Sequence, residues 1–282
     1  MTTPLIAVTG STGRLGGRVA RRLATAGAPQ RLVVRDVDRA PALARTDVAR
    51  ADYRDAEAGR AALAGVTTVF MVSAEETVDR VDRHRTFVDA AVDAGIEHIV
   101  YTSFYNAAAD ATFTLARDHY ATEQHIRASG AAWTFLRDNL YLDFIRYFAG
   151  EERIIRGPAG DGRVAAVALD DIADAAAAVL SSPADHAGQT YDLTGPEAFS
   201  FADAAEILTA ETGQRFGYHA ETIDEAYRSR ASYGAPDWQV EAWVSTYLAV
   251  ATGELEGVSD HVARLTGHQP ISLQELLRRQ AG

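Results

Sequence analysis

Three glycines near the start of the chain carry the first chemical signal. Gly10, Gly13 and Gly16 stand in the run Gly10-Ser11-Thr12-Gly13-Arg14-Leu15-Gly16. A short apolar stretch at 5–8 precedes the run, and helical periodicity at 15–26 follows it. A strand that passes through such a loop into a helix presents backbone N–H groups and the positive end of the helix dipole to an anion. The first glycine permits the tight turn, the second lets backbone approach a pyrophosphate, and the third lets helix and strand pack closely. The pattern predicts a dinucleotide-binding loop, contacted along its whole length from Gly10 to Gly16. It is not a kinase-type phosphate loop, because no Gly-Lys-Ser/Thr follows.

A second strand-like run, 31–35, ends in Val34-Arg35-Asp36. An acid about 20 residues beyond the glycines holds ribose hydroxyls, whereas an arginine there accommodates a 2′-phosphate. Arg35, with Arg14 and Arg39 near it in sequence, favours NADP(H) over NAD(H) through charge-assisted phosphate contacts. Asp36 either binds the ribose or caps the next turn.

His119 and Glu123 stand four residues apart, on one face of a helical stretch. Such a pair orients a cofactor or relays a proton, and it is also the spacing of an ordinary surface ion pair. The acid–base group of any reaction is therefore left unassigned. The histidines at 84, 98, 125, 186, 219, 261 and 268 stand in no partner pattern, and no HExxH spacing occurs, so no metal site is expected. There is no cysteine, which excludes disulfides, thiolate metal sites and a cysteine nucleophile. There is no lysine either, which excludes a Schiff base.

These residues need a frame that brings strand ends together. Strand-like segments at 5–8, 31–35, 48–52, 66–73, 98–103 and 133–137 alternate with helical ones at 15–26, 54–64, 77–94 and 117–129. The run at 66–73 is continuously apolar, as a strand buried on both faces must be. The alternation predicts a Rossmann-type α/β fold, a doubly wound parallel sheet with right-handed crossovers. After Asn139 the pattern changes. Residues 139–149 are aromatic-rich, 156–162 read as loop, 163–168 as strand, 171–180 as an Ala-rich helix and 189–193 as strand. Ser200 with Asp203, and Ser272 with Glu275, resemble capping boxes. The tail is helical at 222–232, 237–252, 256–265 and 273–280. The expected division is a dinucleotide-binding domain over 1–138, to which 163–194 returns. Residues 139–162 and 195–282 then form a smaller, mostly helical substrate or lid domain.

Hydrophobic residues make up 47% of the 282, enough for one substantial core. No apolar stretch reaches the length of a membrane span. The first ten residues lack the charged start of a secretory signal, so a cytoplasmic location without a membrane partner is expected. A net charge of −12 with scattered arginines argues against a nucleic-acid partner.

Taken in order, GSTGRLG at 10–16, VVRD at 33–36, ADYRD at 51–55, HRTFVDAAVDAGIEHIVYTS at 84–103 and HYATEQHIRASGAAWTFLRDNLY at 119–141 resemble the NmrA-like atypical short-chain dehydrogenases/reductases. Within that family they are most similar to bacterial NAD(P)H:quinone oxidoreductases. PAGDG at 158–162 and the Asp-Asp-Ile-Ala run at 170–173 extend the likeness over most of the chain. The resemblance implies adenine contacts from Asp52 and Tyr53, and contacts near the nicotinamide from Ser73, Thr102 and Ser103. These lie at strand C-termini, where an open α/β sheet places its ligand. The familiar Tyr-x-x-x-Lys pair is absent: Tyr120 is followed by Gln124 and no lysine exists. Relatives carry a His-x-x-Thr-Glu pattern like that of His119, Thr122 and Glu123.

The implied activity is NADPH-dependent hydride transfer to a quinone or similar planar aromatic carbonyl compound, by stacking in a dry pocket with protons from water. Phe104, Tyr105, Tyr141, Phe144, Tyr147 and Phe148 are the candidate aromatic wall, with Asn139 offering a hydrogen bond to a carbonyl. The same aromatics equally suit a core or a dimer contact. Two alternatives share the fold: a reductase or oxygenase tailoring an aromatic natural product, and a non-enzymatic NAD(P)-binding redox sensor. Either a monomer or a homodimer is compatible with the sequence.

Overall fold

The computed structural model describes residues 5–281. In chain order the elements are β1 (Ile6–Thr9), α1 (Arg14–Thr25), β2 (Gln30–Val34), β3 (Thr46–Arg50), α2 (Ala56–Leu63), β4 (Thr68–Met71), α3 (Arg80–Asp93), β5 (His98–Phe104), α4 (Thr114–Ala128) and β6 (Ala132–Asp138). There follow β7 (Ile154–Gly157), β8 (Arg163–Val164), α5 (Leu169–Ser181), β9 (Gln189–Leu193), β10 (Phe199–Ser200), α6 (Phe201–Thr212), β11 (Gly217–Ala220), α7 (Ile223–Arg230), α8 (Asp237–Ala251), α9 (His261–Thr266) and α10 (Leu273–Ala281).

The main sheet has seven strands in the order β3-β2-β1-β4-β5-β6-β9. Its inner pairs are parallel, with Ile6 opposite both Gln30 and Thr68. β1, β4 and β5 are buried at every position, as strands covered on both faces require. β3, at the edge, is half to fully exposed throughout. The core joins Ala7, Val69, Ile99 and Tyr101 of the sheet to Phe87 and Val88 of α3. From β1 the chain winds outward through β2 and β3, then crosses back to β4. The crevice at the ends of β1 and β4 is therefore the topological switch point, where such sheets bind ligands.

Local signals set most helix ends. Asp55 accepts from the N–H of Ala58 at the start of α2. Ser200 and Asp203 form a full capping box on α6, and Ser272 Oγ accepts from the N–H of Glu275 before α10. Thr222 and Glu225 form a further box on α7 that the sequence reading had passed over. Other elements differ from expectation. β7, which overlaps the loop expected at 156–162, pairs in parallel with β11, for which no strand is expected; both have only four residues, too few to show a period in the sequence. α9 begins at His261, not 256. Residues 142–149 form a 3₁₀ turn.

Contacts within the chain define two units: residues 5–104, 118–137 and 169–191, and residues 105–117, 138–168 and 192–281. The second unit takes in segments that the sequence placed with the first: 105–117, Asp138, 163–168 and 192–194. Residues 163–168 belong there because Ala165 N–H bonds to Leu255 O and Val167 N–H to Leu140 O. In 105–117, Thr112 binds the Glu254 carboxylate and the Thr114 N–H donates to Ser245 Oγ. No helix among the described residues is long and apolar enough to cross a membrane.

Candidate functional site

The glycine loop leaves β1 at Thr9 and enters α1 at Arg14. Gly10 has φ +61°, a left-handed conformation that suits glycine, and a Cβ there would lie 3.0 Å from Val72 Cβ. The Gly13 N–H closes the turn on Gly10 O at 2.9 Å. A Cβ on Gly16 would stand 2.5 Å from Gly10 O and 2.6 Å from Thr9 O, and backbone cannot yield there. No side chain caps the start of α1, and its first turn holds no acid. Ser11 is buried with its Oγ unpartnered. Open amides, a positive helix end and an unpartnered hydroxyl together fit a phosphate group. Thr12 and Arg14 are exposed beside the loop, whereas Leu15 is buried and anchors α1 by packing.

Next to the loop lies a cleft of about 160 Å³, lined by Thr9, Gly10, Thr12, Arg35, Asp52, Tyr53 and the segment 72–75, among others. Of the expected cofactor residues, Gly10, Thr12, Arg35, Asp52, Tyr53 and Ser73 line this cleft. Arg35 is exposed, with Nη1 donating to Glu75 Oε1 at 3.0 Å. Asp36 does not line the cleft. Its carboxylate caps the turn at 37–39 by accepting from the Asp38 N–H at 3.1 Å, so of its two readings the structural one is the one observed. Arg39 does not line the cleft either. The Asp52 carboxylate binds Arg54, which holds it below the usual carboxylate range. Tyr53 stacks on Phe87 at 4.3 Å, and its hydroxyl meets Thr9 Oγ1 at 2.6 Å and donates to Val72 O at 2.7 Å. Tyr53 thus ties β1 to β4 at the crevice, with its phenol pushed upward by burial.

Three consecutive amides beyond β4 donate to side chains from three different elements. Val72 N–H donates to Thr9 Oγ1 at 2.9 Å, Ser73 N–H to Thr102 Oγ1 at 2.8 Å, and Ala74 N–H to His84 Nε2 at 2.8 Å. Arg80 Nε then donates to Ala74 O at 3.0 Å. The cleft wall is held from behind by β1, β5 and α3. Because His84 Nε2 accepts, its Nδ1 carries the proton and donates to Thr122 Oγ1. Burial, with the Arg80 charge behind it, holds this imidazole well below its ordinary range.

His119 and Glu123 are both buried, and they do not pair with each other. His119 Nε2 accepts from Arg80 Nη2 at 3.0 Å, and Nδ1 faces Tyr101 Oη at 3.0 Å. Burial first, then Arg80, His84 and Arg137, hold it neutral. Glu123 receives Ser103 Oγ–H at 2.6 Å and a two-pronged contact from Arg137 at 2.8 and 2.7 Å. The surface-pair reading is corrected: the helix turns this face inward, and each residue holds separate partners. Phe104 is also buried, its ring 6.1 Å from that of His119.

The remaining wall candidates belong to the second unit. Tyr141, Phe144 and Tyr147 contact in series at 5.7 and 6.4 Å, with Tyr147 67% exposed. Phe148 points elsewhere, against Phe201 and Tyr247. Tyr105 is half-buried. Asn139 is fully buried, donating to Leu255 O and accepting from Leu140 N–H, so its amide is engaged inside the unit. Among the described residues no group of three or more acids and histidines is arranged to hold a metal.

Residues 2–242 match the model of the NmrA-like family. The chain belongs to that family. This NmrA-like protein is 32% identical over 282 residues to an NAD(P)H azoreductase of Xenophilus azovorans, covering 98% of each chain. It is 32% identical over 280 residues to quinone oxidoreductase 2 of Escherichia coli, covering 96% of each. The crystal structure of an NADPH-dependent quinone oxidoreductase of Escherichia coli, complexed with NADPH, superposes with a TM-score of 0.90 at 32% identity. That match covers 98% of this chain and all of the other. Sequence reasoning missed Glu75, Arg83 and the clamp residues Arg80 and His84. No local motif marks them, since they meet the cleft only through the sheet order.

Proposed function

We propose that this protein transfers a hydride from NADPH to a quinone or similar planar aromatic acceptor. The observation that carries the reading is the crevice between β1 and β4. There a glycine loop with open amides and an exposed arginine at the end of β2 line one cleft. The similarity to an azoreductase and a quinone oxidoreductase along nearly the whole chain supports the substrate class. The bound dinucleotide supplies the hydride. The chain's own part is to bind and orient. Amides of the loop other than that of Gly13, which closes the turn, take the pyrophosphate, and Arg35 takes the 2′-phosphate. The clamp on residues 72–74 fixes the wall. Glu123 holds Ser103 in one rotamer through the 2.6 Å bond, fixing a hydroxyl at the end of β5. Tyr141, Phe144 and Tyr147 offer aromatic surface suited to stacking with a flat acceptor.

No side chain is needed as proton donor. Both nitrogens of His119 are engaged and its imidazole is held neutral, and the reduced acceptor takes protons from water. The test is NADPH oxidation by purified protein with and without a simple benzoquinone, corrected for the uncatalysed rate. Saturable, protein-dependent turnover is expected. NADPH binding without turnover on quinones or azo compounds would overturn the quinone-type acceptor in favour of a dedicated tailoring substrate or a dinucleotide sensor.

A further inference from the structure

The acid that meets Arg35 is not its sequence neighbour Asp36 but Glu75, delivered by the segment after β4. One oxygen, Glu75 Oε1, stands 3.0 Å from Arg35 Nη1 and 3.4 Å from Arg83 Nη1. The two guanidinium groups come from different elements, the end of β2 and the start of α3. A single anionic atom held between two such groups is the contact that a phosphate oxygen makes with arginines, here made by the protein's own carboxylate. All three residues line the nucleotide cleft.

The mobility of the parts is unequal. Ala74, just before Glu75, is fixed at both backbone groups by His84 and Arg80, so the backbone cannot carry the carboxylate away. The Glu75 side chain is half exposed, so water competes for its contacts. Arg83 is largely covered, with its Nε 2.9 Å from Asp79 Oδ1 in an ion pair and its Nη1 facing Glu75. Arg83 is the covered member of the cluster, whereas Glu75 and Arg35 both face solvent. A 2′-phosphate carries about −1.5 to −2 charge and three acceptor oxygens, against a single charge on a carboxylate. Exposed ion pairs of the Glu75 kind are weak, so a better anion displaces it.

We propose that Glu75 is an internal competitor for the phosphate subsite: its carboxylate bridges Arg35 and Arg83 in the free protein, the 2′-phosphate of NADPH replaces it, and Arg83 becomes the second cation on that phosphate. With NADH the same carboxylate accepts a hydrogen bond from the ribose 2′-hydroxyl, the role acids play in NAD sites. One side chain thus sets cofactor preference in both directions. The inference rests on the NADPH reading above.

The experiment compares dissociation constants of NADPH, NADH and 2′,5′-ADP for the unmodified protein, Glu75→Gln and Arg83→Gln. Glu75→Gln keeps the size of the side chain and removes its charge. It is expected to tighten NADPH and 2′,5′-ADP about threefold and to weaken NADH. Arg83→Gln is expected to weaken 2′,5′-ADP about tenfold or more and to leave NADH within about twofold, which also shows that the variant is folded. An unchanged NADPH-to-NADH ratio in Glu75→Gln, in a protein that does bind NADPH, overturns this inference alone. An unmodified protein that binds neither NADPH nor 2′,5′-ADP overturns the cofactor reading, and this inference with it.

Discussion

Glu75 and Glu123, both in the first unit, each meet two arginines. Glu75 lies in the cleft with Arg35 and Arg83, its side chain 54% exposed. Glu123 lies behind the cleft with Arg137 and Arg127, its side chain wholly buried. Water competes for every contact of the first cluster, so its ion pairs are weak and replaceable. In the second, Ser103 and both prongs of Arg137 satisfy the carboxylate, which is wholly shielded from solvent. The same residue types therefore serve as an adjustable binding surface in one place and as a fixed support in the other. Burial makes the difference, not chemical identity.

The contrast is broken most forcefully from the buried side. Glu123→Ala leaves the Arg137 charge and the Ser103 hydroxyl without their partner. It is expected to destabilise the protein by about 3–5 kcal/mol, read from urea denaturation. A loss below about 1 kcal/mol would show that Glu123 is not the support described. In the cleft, Arg35→Asp is expected to weaken NADPH about tenfold or more, roughly 1.4 kcal/mol, and NADH far less. Equal loss of both cofactors would show that Arg35 does not read the 2′-phosphate.

Acid probes the buried side again. His84 and His119 are held well below the ordinary imidazole value of 6.5, chiefly by burial. The unfolded chain therefore takes up protons that the folded one refuses as pH falls below that value. Stability is full above it and is lost progressively on acidification toward the lower folded values. The urea midpoint should decline from about pH 6.5 downward, offset in part by Asp138: burial pushes its carboxyl well above the ordinary range, so the folded chain takes up that proton first. A midpoint that stays level to pH 5 would mean that the imidazoles protonate within the fold. The smallest effect is expected at the exposed pair Arg54–Asp52, where Arg54→Ala should leave the denaturation midpoint unmoved within error. A clear shift there would blur the distinction between the two clusters.

Much of this was legible without coordinates. The glycine spacing at 10–16, the apolar runs of β1, β4 and β5 and the strand–helix alternation are local patterns. Local patterns follow from backbone geometry and from burial on both faces. Arg35 was legible because it sits at a strand end close behind the glycines. Less legible were β7 and β11, too short to show a period, and residues 105–117 and 163–168, whose partners lie far along the chain. His119 and Glu123 were visible as a spacing, but the spacing gave no sign that their face of α4 turns inward. Asn139 was visible as a polar group beside aromatics, yet both ends of its amide are engaged.

The sequence by itself determined the fold class, the glycine turn between β1 and α1 and the family, because each is written in short runs of neighbouring residues. Only the tertiary structure decided which acid meets Arg35. Asp36 adjoins it, but its carboxylate reaches the Asp38 N–H first and closes a turn. Glu75, forty residues away, arrives because β4 pairs with β1, and β1 pairs with β2. Strand order is a property of the whole sheet, set by the burial of every strand together, and no single stretch of the chain contains it.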